Sequence, residues 1–224
     1  MPALFCSGLS YEVPLLIPIA EAILNDVEQH PILIGLIGGT GAGKSTLINA
    51  ILKMRGLLPA HPSRACTAAV VEVAYNRSDD ADAAYRAEIK FISANEWRAE
   101  LQVVFRDIEA HNLDSAIEDG EEDLDRLKRI QDALATLKVV YPTLTSVDDL
   151  LSTSIQELMD GEHVGDVLDS TEVIQHAKQS SFSNAIRPYI ATSEADKLAN
   201  WPLIKCVKVF VKAPILEHGI VLVE

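Results

Sequence analysis

The chain has 224 residues, 48% of them hydrophobic, and a formal net charge of −14. That length and apolar content suffice for one substantial core, while the acidic balance argues against a surface that holds a nucleic-acid backbone or an anionic membrane. Cys6, Cys66 and Cys206 are odd in number, far apart and without C-x-x-C spacing, which argues against a zinc site and reads as an intracellular chain, cytoplasmic or nuclear.

In chain order, the first expected element is a helix from about Pro18 to Glu28, with Ile19, Ala22, Ile23 and Val27 on one stripe, packing beside a sheet. The apolar stretch Leu15–Ala22 is short and flanked by Pro14, Glu21 and Asp26, so it reads as neither a membrane span nor a signal peptide. Ile32, Leu33, Ile34, Leu36 and Ile37 then read as a strand buried on both faces, because a central parallel strand has no polar side.

That strand runs into Gly38, Gly43, Lys44 and Ser45, which meet the pattern G-x-x-x-x-G-K-[ST] between a strand and a helix, as a phosphate-binding loop does. At background residue frequencies, a chain of this length meets the four fixed positions by chance on the order of 1% of the time. Glycines let successive backbone N–H groups turn inward towards phosphate oxygens, and the helix that follows adds its positive end. The nucleotide-binding residues are therefore Gly39, Thr40, Gly41, Ala42, Gly43, Lys44, Ser45 and Thr46. Lys44 reaches the β- and γ-phosphates, and the Ser45 hydroxyl ligates Mg²⁺.

The helix continues through Thr46–Leu52 with Leu47, Ile48, Ile51 and Leu52 at core spacing, and Gly56 and Pro59 end it. A Pro-rich polar loop leads to a strand at Ala69–Tyr75, and Glu88–Ile92 is a second strand, the two forming a hairpin across the acidic turn Asp79–Asp82. Ser93 and Glu96 make a capping box ahead of a helix with Trp97, Leu101, Val104, Phe105 and Ile108 on one face. The acid-dominated run Asp114–Asp125 reads as a solvated loop and helix start, followed by Leu127, Ile130, Leu134, Leu137 and Val140 at helical spacing. Helical patterns recur at Asp148–Met159 and Thr171–Gln179. Lys205–Lys212 alternates polar and apolar residues as a half-exposed strand does, and Ile220–Val223 reads as a buried one.

The loop alone does not choose the base. GGTGAGKSTL resembles the loop of transporter-type ATPases, but no LSGGQ-like run follows it. GKSTLINAIL, LPAHPSRACTAAVVEV and WPLIKCVKVFVKAPILEHGIVLVE together resemble the N-terminal part of the GTPase domain of dynamin-like large GTPases, a superfamily with fungal and nuclear members. The resemblance spans nearly the whole chain and is strongest at residues 32–76 and 201–224. It implies an α/β fold of the P-loop NTPase class, a partial GTPase-type sheet flanked by helices. The core would lie at about 18–93 and 201–224, with a mostly helical insertion at about 95–200.

It also implies GTP and Mg²⁺ as cofactors. Thr67 takes the place of the switch threonine that caps the metal and holds the attacking water, so Lys44 and Thr67 are the catalytic pair and Ser45 and Thr67 the metal ligands. Thr67 taken without that resemblance is a β-branched residue opening a strand, and Arg64 an exposed arginine in a polar loop. A homodimer through the GTPase domain and membrane action follow from family analogy alone. Thr40 and Gly41 stand where classical dynamins carry a Gln-Ser pair that positions water, and Glu224 stands where the family's D-x-P-G aspartate binds the metal through water. No T-K-x-D-like motif is present. On this reading the chain stops before the third motif, binds nucleotide weakly, hydrolyses it poorly and leaves a sheet edge bare, which predicts marginal solubility or self-association. The competing function is a non-hydrolysing protein-interaction module on the same fold.

Overall fold

Valine and isoleucine at every second position fix the sheet. The computed structural model describes residues 18, 31–39, 41–59, 69–114, 121–190 and 201–224. Their six strands are β1 (Ile32–Gly35), β2 (Val70–Tyr75), β3 (Tyr85–Phe91), β4 (Thr171–His176), β5 (Ile204–Val211) and β6 (Ile220–Val223). They lie in the order β1-β6-β2-β5-β3-β4. β1 with β6 and β2 with β5 are parallel, and the remaining neighbours are antiparallel. Val71, Val73, Ala87, Ile89, Val207, Val209 and Val211 share one face and are fully buried.

The other face is charged. Register sets Lys208 between Glu72 on β2 and Glu88 on β3, and its Nζ lies 3.0 Å from Glu72 Oε2. Arg86 pairs with Glu88 and stacks its guanidinium 5.2 Å from the centre of the Phe210 ring. The alternation of Lys205–Lys212 thus gives a strand with one apolar and one polar side, as read from the sequence.

Three expectations are corrected. The segments at Ala69–Tyr75 and Glu88–Ile92 do not form a hairpin, because β5 enters between β2 and β3. It brings Val207 and Val209 against apolar residues of both neighbours and sets Lys208 between Glu72 and Glu88. Thr171–Gln179 is not a helix: Thr171, Val173 and Ile174 favour extended backbone, and the segment pairs with β3 as β4. β1 is not buried on both faces. Its described neighbour is β6 alone, and Ile32, Leu33 and Ile34 are 58%, 64% and 44% exposed.

Seven helices of the described residues flank the sheet: α1 (Lys44–Ile51), α2 (Ala94–Asp114), α3 (Glu121–Val140), α4 (Val147–Leu151), α5 (Ile155–Met159), α6 (Glu162–Val167) and α7 (Gln179–Ile190). α7 presses Phe182, Ile186 and Ile190 onto the buried face, and α1 adds Ile48. The Ser93–Glu96 capping box forms as expected and starts α2, whose Trp97, Leu101 and Ile108 are buried. Trp97 Nε1 donates to Tyr141 Oη at 3.0 Å and Tyr141 Oη donates to the Leu158 carbonyl at 2.8 Å, tying α2, the end of α3 and α5 together through polar atoms inside an apolar cluster. The helix expected at 18–28, apart from Pro18, and residues 115–120 of the acidic run lie outside the described residues.

Asp149 gives this helical region a measurable pH dependence. Hydrogen bonds from the Thr145 hydroxyl and amide, then from Ser146, hold its carboxyl at about 2. A carboxyl depressed on folding stabilises fully above its unfolded value near 4 and loses that contribution as pH falls towards 2. Asp149→Asn should therefore flatten the acid limb of thermal stability between about pH 4 and 2. Differential scanning calorimetry across that range checks it, and an unchanged acid limb refutes it.

Candidate active site

The loop between β1 and α1 is held at its entry by β6: Ile32 N donates to the Gly219 carbonyl at 2.9 Å and Leu36 N to the Val223 carbonyl at 2.8 Å. Gly41 and Gly43 have φ of 77° and 90°, a region that costs other residues ~1–2 kcal/mol, so these two glycines are required by the backbone path. Gly43 is the N-cap of α1, no side chain caps it, and the first turn carries no acid. The helix start therefore presents backbone N–H groups and a positive dipole end, the two elements of an anion site.

Lys44 folds back over the loop, its Nζ donating to the Gly38 and Gly39 carbonyls at 3.0 and 3.3 Å and lying 4.0 Å from Glu224 Oε1. Ser45 is buried, and its hydroxyl donates to Glu224 Oε1 at 2.9 Å. Glu224 is itself fixed: its N–H donates to the Val71 carbonyl and its carbonyl accepts from Val71 N–H, both at 2.9 Å. Its side chain is only 4% exposed. The end of β6, the start of β2 and the first turn of α1 thus converge on one hydroxyl, one carboxylate and one ammonium group.

Gly39, Gly41, Ala42, Gly43, Lys44 and Ser45 lie together in this loop and first turn. Thr46 is exposed and faces the flank of α1, where with Asn49, Lys53, Arg55 and Arg187 it lines a cavity of about 690 Å³. Thr40 and Thr67 lie outside the described residues. Among the described residues no cluster of three or more His, Cys, Asp or Glu side chains exists to hold a metal, and no helix is long and apolar enough to cross a membrane. Cys206 is a half-buried free thiol, pushed up in pKa by its burial.

Ser45 and Glu224 fit magnesium by the chemistry of their donors, since a hydroxyl and a carboxylate are the hard oxygens that such an ion takes. The 2.9 Å hydrogen bond between them brings those oxygens to one point. Sequence reading placed Glu224 at the metal aspartate's position, but its direct contact with Ser45 came from the structure. It missed Asn49 altogether. A polar residue one turn after Ser45, on the stripe of Ile48 and Leu52, was the available signal.

The profile of the Dynamin family matches residues 34–155. The chain belongs to the dynamin family. Nuclear GTPase SLIP-GC of Mus musculus is 29% identical to this dynamin-family chain over 229 residues, covering 97% of it and 26% of the relative. The Homo sapiens protein of the same name is 29% identical over 226 residues, with the same coverage. The chain thus spans about a quarter of the length of these curated relatives. Among solved structures, a chain from an oligomerised bacterial dynamin pair, described for long-range sensing and tethering of membranes, is 16% identical with a TM-score of 0.42. It covers 96% of this chain and 26% of that one.

Proposed function

We propose that this dynamin-family chain binds GTP with Mg²⁺ and hydrolyses it. The observation that carries the reading is the convergence of Ser45 and Glu224 on one point beside Lys44 and an uncapped helix start. The relatives named as GTPases supply the choice of base. Lys44 leaves the Gly38 and Gly39 carbonyls and moves to the β- and γ-phosphates. Loop N–H groups take the remaining phosphate oxygens.

Ser45 and Glu224, with Thr67 by family resemblance, hold Mg²⁺, which when bound neutralises charge on the phosphate oxygens. Thr67 orients a water in line with the bond to the γ-phosphate. The water oxygen forms a bond to phosphorus as the bond to the β-phosphate oxygen breaks, the water's protons pass to the released phosphate and to solvent, and GDP and phosphate leave. Thr40 and Gly41 supply no carboxamide in place of the Gln-Ser pair that classical dynamins carry at these positions, so turnover without a partner is slow.

The test is competition between GTP and ATP for the protein in the presence and absence of Mg²⁺. GTP should bind at least about tenfold more tightly, the equivalent of ~1.4 kcal/mol. Equal affinities would overturn the GTP reading in favour of a general nucleoside triphosphate site.

A further inference from the structure

We propose that the cavity on the flank of α1 is a second anion site, separate from the phosphate loop, which takes a soluble small molecule bearing phosphoryl groups. The site needs none of Lys44, Ser45 or Glu224.

Three cations line the cavity, Lys53, Arg55 and Arg187, and no acidic residue does. The chain as a whole carries 33 acidic residues against 19 basic ones, so this lining reverses the balance of the protein. Lys53 and Arg55 form no ion pair with a described residue, whereas Lys205, Lys208 and Lys212 each meet a carboxylate within 3.3 Å. An anion entering the cavity therefore has no carboxylate to displace from those two side chains.

The backbone holds the cations in place. Lys53 takes a φ of 56° directly after Leu52, the C-cap of α1, where helices commonly place a glycine. A lysine there accepts the strain of left-handed backbone and lines the cavity with a charge that glycine would lack. Met54 N donates to the Asn49 carbonyl at 3.0 Å, and Gln179 Nε2 donates to the Arg55 carbonyl at 2.9 Å, so the turn is fastened to α1 on one side and to α7 on the other. Asn49 closes it: its Nδ2 donates to the Leu58 carbonyl and Leu58 N–H donates back to its Oδ1, both at 2.9 Å. Arg187 follows Gln179 by about two turns of α7. A rim fixed before binding loses little freedom when a ligand arrives.

The lining also selects the ligand. Two guanidinium groups and an ammonium can share the several oxygens of a dianionic phosphoryl group, whereas a carboxylate offers two oxygens and a single charge. Thr46 adds a hydroxyl, and Leu58 adds apolar surface for the rest of the molecule. The volume of about 690 Å³ is that of a small-molecule site. A concave site on a chain of net charge −14 suits a soluble ligand better than an anionic bilayer, which that charge repels.

The experiment titrates inorganic pyrophosphate into the Lys44→Ala protein, in which the phosphate loop is weakened, and into the same protein carrying Lys53→Gly and Arg55→Ala as well. Glycine suits the left-handed backbone at position 53, so the fold is kept. Lys128→Ala with Lys138→Ala, both on α3, removes the same charge elsewhere, and a thermal melt accompanies every variant. Lys44→Ala should retain pyrophosphate binding that weakens with salt, and the cavity pair should lower that affinity at least about tenfold while the α3 pair changes it less than about twofold. Loss of all binding in Lys44→Ala, an unchanged affinity in the cavity pair, or an equal loss in the α3 pair overturns the site. Two competitors test the ligand class. A hexaglutamate peptide that displaces pyrophosphate at lower concentration overturns the phosphoryl reading in favour of an acidic peptide. Vesicles carrying phosphatidylinositol phosphate that compete more strongly per headgroup than free pyrophosphate overturn the soluble source in favour of a lipid. Weaker competition by both supports the site as proposed.

Discussion

Lys44→Ala is expected to lower GTP affinity about a hundredfold while leaving the nucleotide-free protein folded. A hydrogen bond to a charged group contributes ~1.5–3 kcal/mol, and Lys44 would make such bonds to two phosphates at once. Against this stand the two carbonyl contacts at Gly38 and Gly39 that it gives up, and a net loss of ~2.7 kcal/mol corresponds to a hundredfold. In the free protein the side chain is 21% exposed and its one ionic neighbour among the described residues is Glu224 at 4.0 Å, so its removal costs little stability. Lys44→Arg should recover part of the affinity at most, because a planar guanidinium does not fit a cradle shaped around a compact ammonium. Titration with fluorescent GTP and a thermal melt check both halves of the expectation. Equal affinity in wild type and Lys44→Ala would remove every nucleotide reading of the loop.

Glu224→Ala should raise the Mg²⁺ concentration needed for half-maximal GTP binding by about 10–100-fold, the usual cost of losing a carboxylate that supports a metal site. The Ser45 hydroxyl would keep its place but lose the acceptor that now orients it at 2.9 Å. Glu224→Asp retracts the carboxylate by one methylene and should fall between the two. A Mg²⁺ titration of GTP binding reads the effect. A dependence identical to that of the wild type would take Glu224 out of the metal site and leave it as a partner of Ser45 and Lys44 only.

The phosphate loop was legible because its chemistry is local. Two left-handed glycines one residue apart, followed directly by a lysine and a serine, produce the same cradle wherever a strand precedes and a helix follows, and the structure has both. The alternation in Lys205–Lys212 was legible for the same reason, since period-two burial is written residue by residue.

Strand neighbours were not legible. Nothing in Val70–Tyr75 or Tyr85–Phe91 announces that a third strand from far along the chain will separate them. Val207, Lys208 and Val209 face residues of β2 and of β3 at once, a relation among three strands invisible to a linear pattern. Thr171–His176 failed for a narrower reason. Its Val173 and Ile174 are adjacent, which fits a helical stripe as readily as a strand, and only pairing with β3 decides between them. At the site, the sequence pointed to Ser45 and to Glu224 separately. It did not show that β2 clamps Glu224, or that Asn49 clamps Leu58, because both links join a side chain or strand end to backbone far from it in pattern.

The strand order also sets a timetable. β1 has β6 as its described neighbour, and β2 lies between β5 and β6, so both early strands wait for residues 204–223. Contacts this distant in sequence close large loops before they gain any pairing energy, and such topologies fold slowly. The helices between residues 94 and 159 close on one another across shorter stretches of chain and have less of that delay. During synthesis the phosphate loop leaves the ribosome well before β6 and Glu224, which shape it. The motif that is first to be recognised in the sequence is therefore completed only once a carboxylate 179 positions after Ser45 has joined it.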